Sequence, residues 1–229
     1  MTTTTFPKTA AAADLRYSTV AIILHWAIAA AILYNLASGL LRSLLPTGFF
    51  QFHVSSGITI LVLSVARVAW RLTHRPPAFL PMRRWERATA HVVHALLYAA
   101  ILLVPVSGWA LVSAKPPVGS AGAAWSAAHS PVAPKPAAPG NGQKPDRPRG
   151  PTMVWGLFRL PLLSPITEIG REPTGVARQR DLRGKIETFH LLAAWAMFGL
   201  LLLHISGALK HQLIDRHRAL ARMRFSVKQ

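Results

Sequence analysis

One apolar stretch near the end of the sequence, Ile186–His211, constrains the fold more than any other feature. It is long and apolar enough to cross a bilayer as a helix, which takes about 20 residues. Two histidines, His190 and His204, lie inside it, and histidine in hydrocarbon is costly enough to indicate a function. Their separation of 14 positions corresponds to about 21 Å of helix rise and about 40° of rotation. The sequence therefore predicts one spanning helix with two imidazoles on one face, one near each membrane surface.

The composition indicates a membrane protein. Of the 229 residues, 51% are hydrophobic and 15% are charged, against roughly 25% charged in soluble proteins. A net charge of +18 would suit nucleic acid, but the basic residues lie between long apolar runs, so we expect a lipid bilayer and no nucleic acid as partner. The chain has no cysteine, which excludes c-type haem attachment and cysteine-ligated iron–sulfur clusters. Histidine must therefore supply the ligands of any metal or haem.

Three further apolar runs precede this stretch, and the four together predict an all-α bundle of four transmembrane helices. The predicted spans are about 18–41, 50–72, 88–112 and 186–211. They leave an N-terminal tail (1–17), a long loop between the third and fourth helices (113–185) and a basic C-terminal tail (212–229).

The long loop changes character along its length. Lys115–Pro151 is a proline-rich insertion, for which we expect disorder or polyproline-like structure. Met153–Ile169 is apolar but short and contains two prolines. We interpret it as a segment that lies at the membrane interface or over the bundle, and not as a fifth span.

Basic residues predict the orientation of the bundle. Between Arg67 and Thr89 the chain has six arginines and one acidic residue, and the C-terminal tail is also basic. Short basic segments stay in the cytoplasm. We therefore expect both termini on the cytoplasmic side and the long 113–185 loop on the outer side of the membrane.

This topology sorts four histidines into two pairs. His25 and His204 lie at the cytoplasmic level, whereas His53 and His190 lie at the outer level. Two histidines on different helices at one level suit the iron of non-covalent haem b, which takes imidazole as an axial ligand. We interpret the four as ligands of two haems b. A zinc or copper site is an alternative, although zinc ligands cluster at one level, and rings that simply rest at the interface are another.

Other polar residues inside the spans have open roles. Arg67 follows His53 by 14 positions and is a candidate partner of a haem propionate, since arginine pairs well with carboxylates; a charge that snorkels to the interface is the alternative. His91 and His94 lie at the cytoplasmic end of the third span. We weigh a packing role, contact with quinone or propionate, and replacement of one of the four ligands.

Several short motifs resemble the bacterial cytochrome b561 family, a four-helix di-haem b group related to the cytochrome b subunits of hydrogenases and formate dehydrogenases. The motifs are LHW in the first span, FHVSSGITILVLSVARVAWRL in the second, AHVVHALLY with a later PVSG in the third, and H-x13-H in the fourth. The resemblance places His25, His53, His190 and His204 on the haem-ligand positions. It implies electron exchange with the quinone pool of the respiratory chain, with ubiquinone as the substrate.

The resemblance leaves the outer electron donor open. Some members are similar to superoxide oxidases, which pass an electron from superoxide to ubiquinone, but the proline-rich insertion and Phe189, where the family usually has tryptophan, depart from the pattern. Arg183 and Lys185, just before His190, could steer a small anion such as superoxide or could form a solvated linker face.

Three functions follow as hypotheses. The first is a stand-alone oxidoreductase between an outer donor and quinone, with superoxide oxidase as a candidate activity. The second is a membrane subunit that relays electrons for a docked dehydrogenase, hydrogenase or periplasmic redox protein. The third is a structural or transport protein without haem. The sequence assigns no catalytic residue.

Overall fold

The computed structural model describes residues 16–42, 44–45, 49–74, 77, 83–129, 151–215 and 220–223. In chain order, its helices and strands are α1 (Thr19–Leu40), α2 (Phe49–Thr73), α3 (Arg84–Ser113), α4 (Ala121–Ala128), β1 (Met153–Val154), β2 (Phe158–Arg159), α5 (Ser164–Thr167) and α6 (Pro173–Leu213). Two 3₁₀ segments, Glu168–Gly170 and Leu220–Met223, accompany them. The strands pair antiparallel, with Val154 opposite Phe158.

Helices α1, α2, α3 and α6 are long and apolar enough to cross a membrane, which confirms the prediction of an all-α bundle of four spanning helices. Large apolar side chains are exposed: Leu33 by 59%, Val62 by 62% and Leu192 by 63%. Small polar side chains such as Ser64 and Ser107 are buried instead. Because lipid is as apolar as leucine, small residues rather than leucine let spanning helices approach each other closely.

The fourth spanning helix begins earlier than the sequence predicts. The predicted span starts at residue 186, whereas α6 starts at Pro173, 13 residues before it. Proline suits the first turn of a helix, and Lys185 pairs with Asp181 across one turn at 2.8 Å. Charged residues of this kind continue a helix beyond the membrane. The assignment of 113–185 wholly to a loop is therefore wrong for residues 173–185.

Part of the proline-rich insertion is also helical. Ser120 caps α4, and its Oγ accepts a hydrogen bond from the Ala123 N–H at 3.1 Å. The Gly122 N–H donates to the Arg171 carbonyl at 2.7 Å. The expectation of disorder is wrong for this helix. Residues 130–150 of the insertion lie outside the described residues, as do residues 1–15 of the predicted N-terminal tail and 216–219 and 224–229 of the C-terminal tail.

The chain forms two compact units, and each takes a segment from all four long helices. The first unit comprises Met1–Leu36, Thr59–Leu102 and Ala194–Gln229, and the second comprises Ala37–Ile58 and Leu103–Ala193.

In the first unit, the segment after α6 returns to the start of α1. The Trp26 indole Nε1 donates to the Met223 carbonyl at 2.9 Å, and the Lys210 ammonium binds Glu86 at 2.6 Å and Asp215 at 2.9 Å. The bond from Lys210, followed by that from His211, lowers the pKa of Asp215. These contacts join α1, α3 and the end of α6.

In the second unit, residues 151–172 form a segment that we call the cap, which is held by buried serines of α2 and α3. The Trp155 N–H donates to Ser55 Oγ at 2.9 Å. This bond supports a tight turn in which Trp155, at φ 51°, adopts a conformation that non-glycine residues rarely adopt. Ser113 Oγ accepts from the Leu163 N–H at 3.0 Å. Both serines are at most 1% exposed.

Close packing of α6 against the cap gives a direct test of this arrangement. A Cβ added at Gly175 would overlap the Ile169 carbonyl, which is backbone and cannot move aside, whereas a Cβ at Gly184 meets nothing within 4 Å. We expect Gly175→Ala to lower the melting temperature of the detergent-solubilised protein. Gly184→Ala, in the same helix, should leave it unchanged or raise it, since alanine favours helix by about 1 kcal/mol. Equal behaviour of the two variants would contradict the packing.

Candidate functional site

In the first unit, α1 and α6 bring His25 and His204 together. The ring centroids are 6.4 Å apart and the ring planes meet at 75°. The two residues are those that the sequence pairs at the predicted cytoplasmic level.

In the second unit, α2 and α6 bring His53 and His190 together in nearly the same arrangement. Their centroids are 6.5 Å apart, and their planes also meet at 75°. The second predicted pair is thus adjacent as well, and helix α6 contributes one ring to each pair.

The geometry of both pairs fits a single metal ion between the rings. Imidazole nitrogens bind metal ions at about 2.0–2.1 Å, so two rings on opposite sides of one ion have centroids about 6 Å apart. Haem iron takes imidazole nitrogens as its protein ligands, so the two rings of each pair would be able to hold it. The donor sets of this chain therefore fit haem iron.

The second pair is held by a repeated serine–glycine motif. Ser38 Oγ lies 3.0 Å from His53 Nδ1, and a Cβ on the next residue, Gly39, would lie 3.4 Å from His53 Cε1. Glycine here lets the ring lie directly against α1. The serine engages Nδ1, which leaves Nε2 as the nitrogen available to a metal.

Helix α3 repeats this motif around His190. Ser107 Oγ lies 2.8 Å from His190 Nδ1, and a Cβ on Gly108 would lie 3.2 Å from His190 Cε1. His190 Nδ1 also lies 3.1 Å from the Val104 carbonyl, to which Ser107 donates its own hydroxyl hydrogen at 2.8 Å. The hydroxyl is thereby oriented to accept from the imidazole, which fixes the proton on Nδ1.

Sequence reasoning missed these two serine–glycine pairs as parts of the site. It used the PVSG motif, which contains Ser107 and Gly108, only as part of a resemblance, and it did not assign Ser38 to the site. The available signal was the repetition of Ser-Gly within two helices that carry no outer ligand themselves, but only the structure shows which rings these residues face.

The first pair has charged and aromatic neighbours. The Nη1 group of Arg67 donates to the Ala21 carbonyl at 3.5 Å. The guanidinium carbon of Arg67 lies 6.0 Å from the centre of the Tyr98 ring. Ala21 lies one turn before His25 in α1, so the contact with its carbonyl brings Arg67 near the predicted pair.

His91 and His94 differ in their relation to the first pair. The His94 ring lies 5.1 Å from the His204 ring, nearly perpendicular to it. The Nδ1 of His91 and that of His94 each face a carbonyl one turn earlier in α3, at 2.7 and 2.6 Å. His94 thus packs against a ligand candidate.

The two basic residues predicted to steer anions have different surroundings. Lys185 is paired with Asp181, whereas Arg183 donates to the Leu111 carbonyl at the end of α3, at 3.0 Å. Burial, and then the nearby Arg183, lowers the pKa of Lys115. Arg183 therefore contacts the end of α3 four positions before Lys115, a residue that the sequence analysis did not single out.

Comparison with known proteins shows the family of this chain. The profile of the family described as prokaryotic cytochrome b561 matches residues 16–226. The chain belongs to the prokaryotic cytochrome b561 family. It is therefore a multi-pass cytochrome of the bacterial inner membrane that binds haem b and carries electrons.

Individual relatives match along most of the chain. Cytochrome b561 homolog 2 of Escherichia coli (strain K12) is 26% identical over 216 residues, which cover 91% of this chain and 90% of the relative. The probable superoxide oxidase CybB of Yersinia pestis is 23% identical over 213 residues, or 91% and 95% of the two chains. Cytochrome b561 homolog 1 of Escherichia coli (strain K12) is 28% identical over 105 residues, or 43% and 60%.

Crowding at Gly108 yields a prediction for the second pair. Because an alanine Cβ would lie 3.2 Å from His190 Cε1, Gly108→Ala should rotate or displace this ring. We expect altered ligand-field signals in the electron paramagnetic resonance spectrum, or partial loss of haem. Gly184→Ala, also close to His190 in sequence but in open space, is the control. Identical spectra for wild type and Gly108→Ala would contradict the contact.

Proposed function

We propose that this cytochrome binds two haems b, one between His25 and His204 and the other between His53 and His190. The observation that supports this most directly is that both pairs have the same geometry, with centroid separations of 6.4 and 6.5 Å and planes at 75°. Rings that merely rest at a membrane interface have no reason to form two such matched pairs.

We further propose that the second pair lies toward the periplasm and the first toward the cytoplasm. The arginine-rich connection between α2 and α3 and the basic C-terminal tail favour the cytoplasm for the ends of the helices near His25 and His204. The cytochrome then passes single electrons from a periplasmic donor to the quinone pool, with ubiquinone as acceptor.

Residues of the chain hold and orient each cofactor. Haem b supplies one-electron chemistry at its iron when it is bound. We assign Arg67 to a propionate charge in the first unit, since arginine pairs well with carboxylates and its Nη1 lies 3.5 Å from the Ala21 carbonyl, one turn before His25. His94, packed against His204, limits the movement of this ring and borders the place where quinone would approach.

We propose superoxide as the donor, and Arg183 with Lys115 as the groups that attract it. Arg183 is exposed and donates to the Leu111 carbonyl, four positions before Lys115, and neighbouring positive charges favour a small anion. Lys185 contributes less because Asp181 balances its charge. The name of the Yersinia pestis relative, probable superoxide oxidase, supports the same donor.

The ligand assignment predicts independent loss of the two haems. His190→Ala should remove one haem and leave the other, and His204→Ala should do the same for the other pair, as measured by haem-to-protein ratio and by the reduced-minus-oxidised spectrum. His129→Ala is the control, because this exposed histidine stacks on Trp125 and belongs to neither pair. Retention of both haems in His190→Ala would refute the pairing. If the wild-type protein shows no b-type spectrum, the hypothesis that remains is a structural or transport protein without haem.

The donor assignment predicts a salt-dependent reaction with superoxide. Mixing the purified protein with superoxide and a quinone analogue should reduce haem faster than the uncatalysed control. Arg183→Gln should slow this step several-fold and Lys185→Gln much less, and the difference should shrink as salt screens the charges. No haem reduction above the control would favour a subunit that relays electrons for a docked protein partner.

A further inference from the structure

The two histidine pairs differ in the hydrogen bonding of their rings. In the second unit, Ser38 engages Nδ1 of His53 and Ser107 engages Nδ1 of His190. Within the described part of the chain, the rings of His25 and His204 make no hydrogen bond, and their ring contacts are to Trp26, to His94 and to each other. Among the described residues, therefore, the imidazoles of the second pair are hydrogen-bonded and those of the first are not.

The difference extends to the glycines. Gly39 and Gly108 lie directly against the rings of the second pair, but Gly207, which follows Ser206 three positions after His204, meets no protein atom within 4 Å. The serine–glycine sequence in α6 therefore does not form the same contact. The hydrogen-bonded arrangement is specific to the second unit.

Hydrogen bonding at Nδ1 changes the donor strength of the opposite nitrogen. When Nε2 binds iron, neutral imidazole carries its proton on Nδ1 and donates it to the serine oxygen or the Val104 carbonyl. Such a bond increases the basicity of the ligand. A more basic ligand stabilises ferric over ferrous iron and lowers the reduction potential.

In the first unit, charge has the opposite effect on the reduction potential and raises it. Arg67 Nη1 lies 3.5 Å from the carbonyl of Ala21, one turn before His25, and a positive charge in a medium of low dielectric constant favours the reduced, less positive iron. Lys115 and Arg183 exert the same kind of effect in the second unit, but Arg183 is exposed, so solvent and salt weaken it.

We propose that Ser38 and Ser107 are positioning residues that give the haem of the second unit the lower reduction potential, while Arg67 gives the haem of the first unit the higher one. The inference rests on the ligand pairs in the proposed function. Electron transfer from the second unit to the first is then downhill. The hydrogen-bond pattern thus sets the direction from the periplasmic donor toward the quinone pool.

A redox titration of the full-length, haem-loaded protein tests this proposal. The wild type should show two one-electron waves. Ser107→Ala and Ser38→Ala should each raise the midpoint potential of the lower-potential wave and leave that of the other wave unchanged. Arg67→Gln should lower the midpoint potential of the higher-potential wave. A change of about tenfold in the equilibrium constant of reduction corresponds to about 59 mV for one electron. Ser107→Thr keeps the hydroxyl and should restore the wild-type value.

Ser113→Ala is the matched control. Ser113 is a buried serine in the same helix as Ser107, and its hydroxyl bonds to Trp109 and Leu163 rather than to a histidine. Its loss should lower stability without moving either wave. Serine variants that shift the upper wave, or that shift neither wave while both haems stay bound, would overturn the proposal.

Haem content separates this proposal from the one it rests on. If the wild type binds fewer than two haems, the proposed ligand pairs are wrong. If it holds two and the waves respond in the wrong order, only the assignment of potentials is wrong. If Ser107→Ala loses haem, the redox titration of Ser38→Ala tests the proposal instead. Ser38 lies on a different helix and bonds to the other ring of the pair, that of His53.

Discussion

An imidazole inside a membrane must satisfy two ring nitrogens where water is absent, and this requirement organises the second unit. Each Nδ1 there finds a serine on a neighbouring helix, at 3.0 Å for His53 and 2.8 Å for His190. The glycine after each serine lets the helix approach the ring. Because buried polar groups without partners are expensive, these four residues fix the positions of α1 and α3 relative to the two rings. The remaining nitrogen of each ring stays available to a metal ion.

The packing of the rest of the bundle also follows from the properties of lipid as a solvent. Leucine and valine gain nothing by leaving lipid, so exposed apolar side chains such as Leu33 and Val62 do not need a core to cover them. Serines take the inner positions, where they add hydrogen bonds and little volume. Such a bundle is held together by polar contacts and bound groups more than by apolar burial, which is why pairs of histidines can be central to its architecture.

Much of this site could be predicted from the sequence, because histidine in an apolar run is rare and its spacing converts directly to helix geometry. His190 and His204 indicated one shared helix, and charge patterns assigned their partners. The partners of Nδ1 could not be predicted, since Ser38 and Ser107 reach rings 15 and 83 positions away. The start of α6 at Pro173 was missed because apolar length marks a membrane span but not the helix beyond it.

The cap is connected to the same helices that hold the second pair. Ser55 lies two positions after His53 in α2 and accepts a hydrogen bond from the Trp155 turn. Ser113 lies six positions after Ser107 in α3; its hydroxyl accepts from the Leu163 N–H and its carbonyl accepts from the Thr167 hydroxyl. The cap and the second pair are therefore attached to the same two helices, within a few residues of each other, because α2 carries His53 and α3 carries the serine that engages His190.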